Sequence, residues 1–126
     1  MLLCLSDKTE LAIKLIKRAF RLNPIPPHSY YIILSIVHRY AGQYEKALQL
    51  AEKVLSENPD NILALLTLAA SNSFLNRNDE ANNAAVEILR VDPNFSVDNY
   101  SKTLPYKNQD ILDSYMDALR KAGLPD

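Results

Sequence analysis

Apolar side chains recur every three or four residues along most of this chain, which is the spacing of one face of an α-helix. The pattern predicts five helices, near residues 8–22, 27–40, 43–57, 61–74 and 77–91. Short polar or proline-containing stretches separate them, and no stretch predicts a strand. The chain is therefore predicted to be all-α.

The helices are interrupted at a regular interval. An asparagine or aspartate followed by proline occurs three times, at spacings of 35 and 34 residues: Asn23-Pro24, Asn58-Pro59 and Asp92-Pro93. Proline has no N–H to donate and disfavours the helical region for the residue before it, so each pair ends a helix. A period of this length predicts repeated helical hairpins stacked in a row.

Small residues recur in register with the prolines. They stand where the two helices of a hairpin would approach closely: Ser35, Ala47, Ala69 and Ala81. Gly42 and Asn76 fall between the helices of a hairpin, where a residue that tolerates positive φ is expected.

Two units carry a fuller pattern. The second unit reads Tyr31-x2-Leu34-Ser35-x2-His38, Gly42-x-Tyr44, Ala47-x3-Ala51, Val54 and Pro59. The third reads Leu65-x2-Leu68-Ala69-x2-Asn72, Asn76, Ala81-x3-Ala85, Ile88 and Pro93. Both units resemble the tetratricopeptide repeat (TPR) family, and the resemblance implies a solenoid of antiparallel helix hairpins that binds a protein or peptide.

This register divides one domain, residues 1–126, into four parts. We expect a partial repeat at 1–24, complete repeats at 28–61 and 62–95, and an aborted repeat with a capping helix at 96–126. The last helix, from Asn108 to Ala122, carries an apolar stripe that must be buried. It either caps the last complete repeat, or lies in its own groove or a neighbour's as an inhibitory or dimerisation arm.

The tail also resembles a narrower group. Its segments Phe95-Ser96-Val97, Leu104-Pro105-Tyr106-Lys107 and Leu119-Arg120-Lys121-Ala122-Gly123-Leu124-Pro125 look like the C-terminal end of bacterial multidomain proteins. In these proteins an adenylate or guanylate cyclase domain, or a DNA-binding regulator domain, precedes the TPRs. The resemblance implies the non-catalytic, scaffolding or regulatory end of a signalling protein.

In TPRs the first helix of each hairpin lines a concave groove, and the resemblance places eight residues of this chain there: Ser29, Ile32, Ile36, Arg39, Leu63, Leu66, Ala70 and Ser73. The floor is apolar, which suits a hydrophobic helix or extended segment. TPRs that grip a C-terminal carboxylate need polar residues where this chain has Ile32, Ile36, Thr67 and Ala70. A carboxylate clamp is therefore not expected.

Charge and composition narrow the function further. Lys and Arg number 14 against 15 Asp and Glu, so the chain has no excess of basic residues for nucleic acid. Cys4 is the single cysteine, and no window approaches the roughly 20 apolar residues of a membrane span. We expect a cytoplasmic protein that binds neither nucleic acid nor membrane and is a monomer or homodimer.

The sequence shows no arrangement typical of a catalytic site. It has two glycines, too few for a phosphate-binding loop, and its two histidines, His28 and His38, lie ten apart without acidic or cysteine neighbours. We therefore predict a non-enzyme with no cofactor and no metal.

Overall fold

The computed structural model describes residues 27–104 and 109–126, together with five helical residues upstream: Lys14, Leu15, Lys17, Arg18 and Arg21. The described residues form no strand, and residues 27–104 and 109–126 contain six helices. These are α1 (Pro27–Tyr40), α2 (Tyr44–Glu57), α3 (Ile62–Phe74), α4 (Asn78–Val91), α5 (Val97–Ser101) and α6 (Gln109–Ala122). The all-α fold is confirmed, and α2, α3 and α4 each begin one residue later than predicted.

Two helix hairpins form the body of the molecule. Helix α1 packs on α2 and α3 packs on α4, while α2 joins the hairpins by packing on α3. The small residues of the repeat, Ser35, Ala47, Ala69 and Ala81, are all at most 1% exposed. Small side chains at these positions let the backbones of paired helices approach closely. The arrangement is a helical-hairpin solenoid.

Each turn inside a hairpin uses the left-handed backbone region. Gly42 has φ of 83° between α1 and α2, and Asn76 has φ of 61° between α3 and α4, as the sequence predicts. Between the hairpins, Asn61 caps α3, because its side-chain oxygen accepts a hydrogen bond from the backbone N–H of Ala64 at 3.1 Å. Most of the predicted partial repeat at 1–24 lies outside the described residues.

The buried apolar side chains form one large cluster and one small one. Apolar side chains of α3, α4, α5 and α6 form the large cluster, whose most deeply buried members include Leu66, Ile88, Val97 and Leu119. The small cluster joins α1, α2 and α3 through Ile32, Ala51, Val54 and Ala64. The tail helix α6 therefore shares the main core with the last complete hairpin.

Candidate protein-binding face

The predicted groove residues of α3 are covered. Leu66, Ala70 and Ser73 follow one another at the four- and three-residue spacing of a single helix face, and they are 1%, 0% and 2% exposed. Leu66 and Ala70 belong to the same buried cluster as Tyr115 and Leu119 of α6. Helix α6 packs more extensively on α3 than on α4, so it lies over this face.

The predicted groove residues of α1 differ in their surroundings. Ile32 packs in the small interior cluster, and Ile36 is half-buried against it, so Ile32 is not part of an open surface. Arg39 is 6% exposed, and its guanidinium carbon lies 3.8 Å from the centre of the Tyr115 ring of α6. Ser29 lies in the first turn of α1, but its side chain is not among those described.

At the other end of the face, Leu63 remains open. It lies in the first turn of α3 and is 45% exposed, in contrast to Leu66 one turn later. The structure thus brings Leu66, Ala70, Ser73 and Arg39 together around α6, and it leaves Leu63 apart from them.

Polar contacts fasten the tail at several points. The Lys121 ammonium donates to the Asn76 side-chain oxygen at 2.7 Å, and the Asn82 amide donates to the Ala122 carbonyl at 3.2 Å. Beyond α6, the Val97 N–H donates to the Pro125 carbonyl at 2.8 Å. These contacts join the end of the tail to the α3–α4 turn, to α4 and to the start of α5.

Two tyrosines of the tail, Tyr100 and Tyr115, form contacts that the sequence did not predict. The hydroxyls of Tyr100 and Tyr115 are hydrogen-bonded at 2.9 Å, and Tyr115 also carries the contact with Arg39. The apolar stripe of the last helix predicted that Tyr115 is buried. The stripe did not predict that the Tyr115 ring would contact Arg39 of α1.

The polar groups beside this face have shifted pKa values. Burial raises the pKa of Tyr44, against the opposing effect of the nearby Arg39 charge. Burial also lowers the pKa of His38, and nearby Lys46 and Lys17 lower it further, while a 2.6 Å hydrogen bond to Gln43 acts in the opposite direction. Because the Gln43 side-chain oxygen can only accept, the Nδ1 of His38 is the donor in this hydrogen bond.

Within the described part of the chain, no three His, Cys, Asp or Glu side chains gather in a way that could hold a metal ion. Among the same residues, no helix has both the length and the apolar character needed to cross a membrane.

The geometry defines a class of protein: a solenoid of stacked antiparallel helix hairpins with an extra helix packed on the last hairpin. A tetratricopeptide repeat family model matches residues 38–101, which is half of the chain, and the chain belongs to this family. Searches of curated proteins and of solved structures gave no match. Tetratricopeptide repeats generally mediate protein–protein interactions and are typically non-catalytic.

Proposed function

We propose that this chain is a protein-binding module that accepts the apolar side of an amphipathic helix. The helix binds the surface around Leu66, Ala70, Ser73 and Arg39, which we call the first-helix face. The observation that carries the proposal is the burial of Leu66 and Ala70 beneath α6. A face that holds one amphipathic helix has the shape and apolar character to hold another of the same pattern.

The tail helix itself indicates what the partner looks like. Its buried side consists of Tyr115, Met116, Leu119 and Ala122, all at most 3% exposed, and its other side is charged. A partner helix with an aromatic residue, a methionine and a leucine at the same spacing would make the same contacts. Methionine adapts to irregular apolar surfaces, which suits exchange between two ligands.

The partner helix competes with α6 for the same face, and this competition determines the measured affinity for the partner. Each large apolar side chain of α6 that returns to water costs roughly 1.5–3 kcal/mol. The partner therefore binds only the fraction of molecules in which α6 has left the face, and the apparent Kd rises in inverse proportion to that fraction. A modest measured affinity is expected even for a well-matched partner helix.

The test uses a fluorescently labelled peptide copying residues 109–126, added to the complete chain. We expect saturable binding by anisotropy, and no binding of the same peptide carrying Leu119→Asp. The protein variant Lys121→Ala loses the exposed bond to Asn76 but keeps the apolar face, so it should bind the peptide more tightly than the unaltered chain. A peptide that binds neither protein contradicts the proposal.

A second candidate function is structural: α6 stays in place permanently and closes the solenoid. The hydrogen bonds from Asn82 to Ala122 and from Val97 to Pro125 favour it, because they fix the tail on both sides of Gly123. In this case the labelled peptide does not bind at any incubation time, and hydrogen exchange of α6 is as slow as that of α3.

The wider context is also a proposal. The likeness of the tail to bacterial cyclase–TPR and regulator–TPR proteins supports a place at the C-terminal end of a cytoplasmic signalling protein. Reading the native coding sequence upstream of Met1 tests this directly. A catalytic or DNA-binding domain encoded there supports the assignment, and a stop codon immediately upstream contradicts it.

A further inference from the structure

A second groove lies between α2 and α4, with α3 beneath it, and has a volume of about 620 Å³. Its floor includes Leu48, Leu65 and Ala84, each at most 6% exposed. Three glutamates stand along its sides: Glu52, Glu80 and Glu87. We call this surface the acidic groove.

The charges of the acidic groove are only partly balanced. Glu87 pairs with Arg90 at 3.0 Å, and Arg77, the cation at the groove, pairs with Glu45 at 2.6 Å. Glu52 and Glu80 are exposed, and neither forms an ion pair with any residue that the structure describes. Two carboxylates therefore face solvent above an apolar floor.

A complementary surface occurs on the upstream helical residues. Lys14, Arg18 and Arg21 are exposed, and their spacing of four and three residues places them on one side of a helix. We call these three residues the basic ridge. The chain as a whole has a net charge of −1, so its positive and negative charges are segregated rather than in excess.

The two surfaces match in spacing. In the predicted helix 8–22, Lys14 and Arg21 are seven residues apart, as are Glu80 and Glu87 in α4, where Glu87 shares its charge with Arg90; seven residues of helix rise about 10.5 Å. Long basic side chains also suit this groove chemically. Their methylene stems cover apolar surface while the charged heads stay at the solvent edge, here beside the glutamates.

We propose that the basic ridge of one copy of this chain docks in the acidic groove of a second copy. The contact joins two different surfaces, so association is head-to-tail. Its charges are solvent-exposed, and exposed ion pairs are weak and screened by salt. The association is therefore weak and strongest at low ionic strength, and it is independent of what occupies the first-helix face.

Sedimentation equilibrium of the complete chain tests the proposal. The screening length is about 30 Å at 0.01 M salt and about 3 Å at 1 M. We expect the average mass to rise with protein concentration at the lower salt and to stay that of a monomer at the higher salt. A wild-type chain that is monomeric at both salt concentrations overturns the proposal.

Charge reversal makes the test specific. The ridge variant Arg18→Glu/Arg21→Glu and the groove variant Glu52→Lys/Glu80→Lys should each weaken self-association at least about tenfold, because like charges then face each other. An equimolar mixture of the two variants should associate again, which also shows that both are folded. A mixture that stays monomeric contradicts the docking.

The matched control Glu57→Lys/Asp113→Lys makes the same charge change at exposed positions outside the groove. It should associate like the wild-type chain, and a loss as large as that of the groove variant shows that only net charge matters. Phosphatidylserine vesicles provide the last comparison. If the ridge residues bind these vesicles while the chain stays monomeric, the ridge serves a membrane surface and the proposal is wrong.

Discussion

Leu119 is the side chain whose truncation tests most directly how the tail helix is held. It lies in the second half of α6, is 0% exposed, and belongs to the large cluster shared with α3 and α4. The substitution Leu119→Ala removes three carbons from this cluster. At about 0.8 kcal/mol for each buried methylene, the transfer contribution alone is roughly 2.4 kcal/mol.

The cavity left behind adds to this loss, because the surrounding backbone relaxes only in part. Buried leucine-to-alanine changes cost about 2–5 kcal/mol in total. Since a domain is stable by only about 5–15 kcal/mol, the variant should lose a large share of its stability. We expect a decrease in the free energy of unfolding of about 3–4 kcal/mol.

Urea unfolding followed by far-ultraviolet circular dichroism measures this change, with the slope m compared between the two proteins. Leu63→Ala is the matched control, because it removes the same atoms from a leucine that is 45% exposed. It should cost about 1 kcal/mol or less. An equal loss for both variants would refute the packing of α6 on the last hairpin.

Two further results are expected. Burial lowers the pKa of His38, so the unfolded chain takes up a proton before the folded chain does as the pH falls below the ordinary value of 6.5. The free energy of unfolding should therefore be smaller at pH 5 than at pH 7, and His38→Gln should reduce this difference; an unchanged pH profile of the urea midpoint contradicts the assignment. Gly42 and Gly123 both have positive φ, but a Cβ at Gly123 would lie 2.9 Å from the Asn82 side-chain nitrogen, whereas a Cβ at Gly42 meets nothing within 4 Å. Gly123→Ala should therefore lower the melting temperature more than Gly42→Ala, which costs about 1 kcal/mol from backbone strain alone, because the Asn82 side chain must turn away and lose its hydrogen bond to the Ala122 carbonyl. Equal losses would show that this hydrogen bond adds nothing to stability.

The local features of this fold could be predicted because they depend on short-range chemistry. Helix limits follow from the apolar period and from the prolines, and the left-handed residues Gly42 and Asn76 follow from the need to reverse direction between two helices. The interval of 34 to 35 residues was sufficient to indicate stacked hairpins, and the family match over residues 38–101 agrees.

The candidate face could be predicted only in part. Leu66, Ala70 and Ser73 do lie on one side of α3, as their spacing indicates. The same reasoning placed Ile32 beside them, although its side chain packs with Ala51, Val54 and Ala64 instead. Helical spacing gives the direction of a side chain relative to its own axis, whereas the rotation of that axis depends on the neighbouring helices.

What the sequence determined by itself is therefore the set of helices, their order and the apolar side of each. The tertiary structure decided where the last helix lies. The apolar stripe of α6 must be buried, but the stripe alone does not determine which apolar surface covers it. The choice depends on contacts between residues 40 or more positions apart, such as Asn82 with Ala122 and Lys121 with Asn76. Such contacts exist only once the hairpins have packed, and no local pattern encodes them.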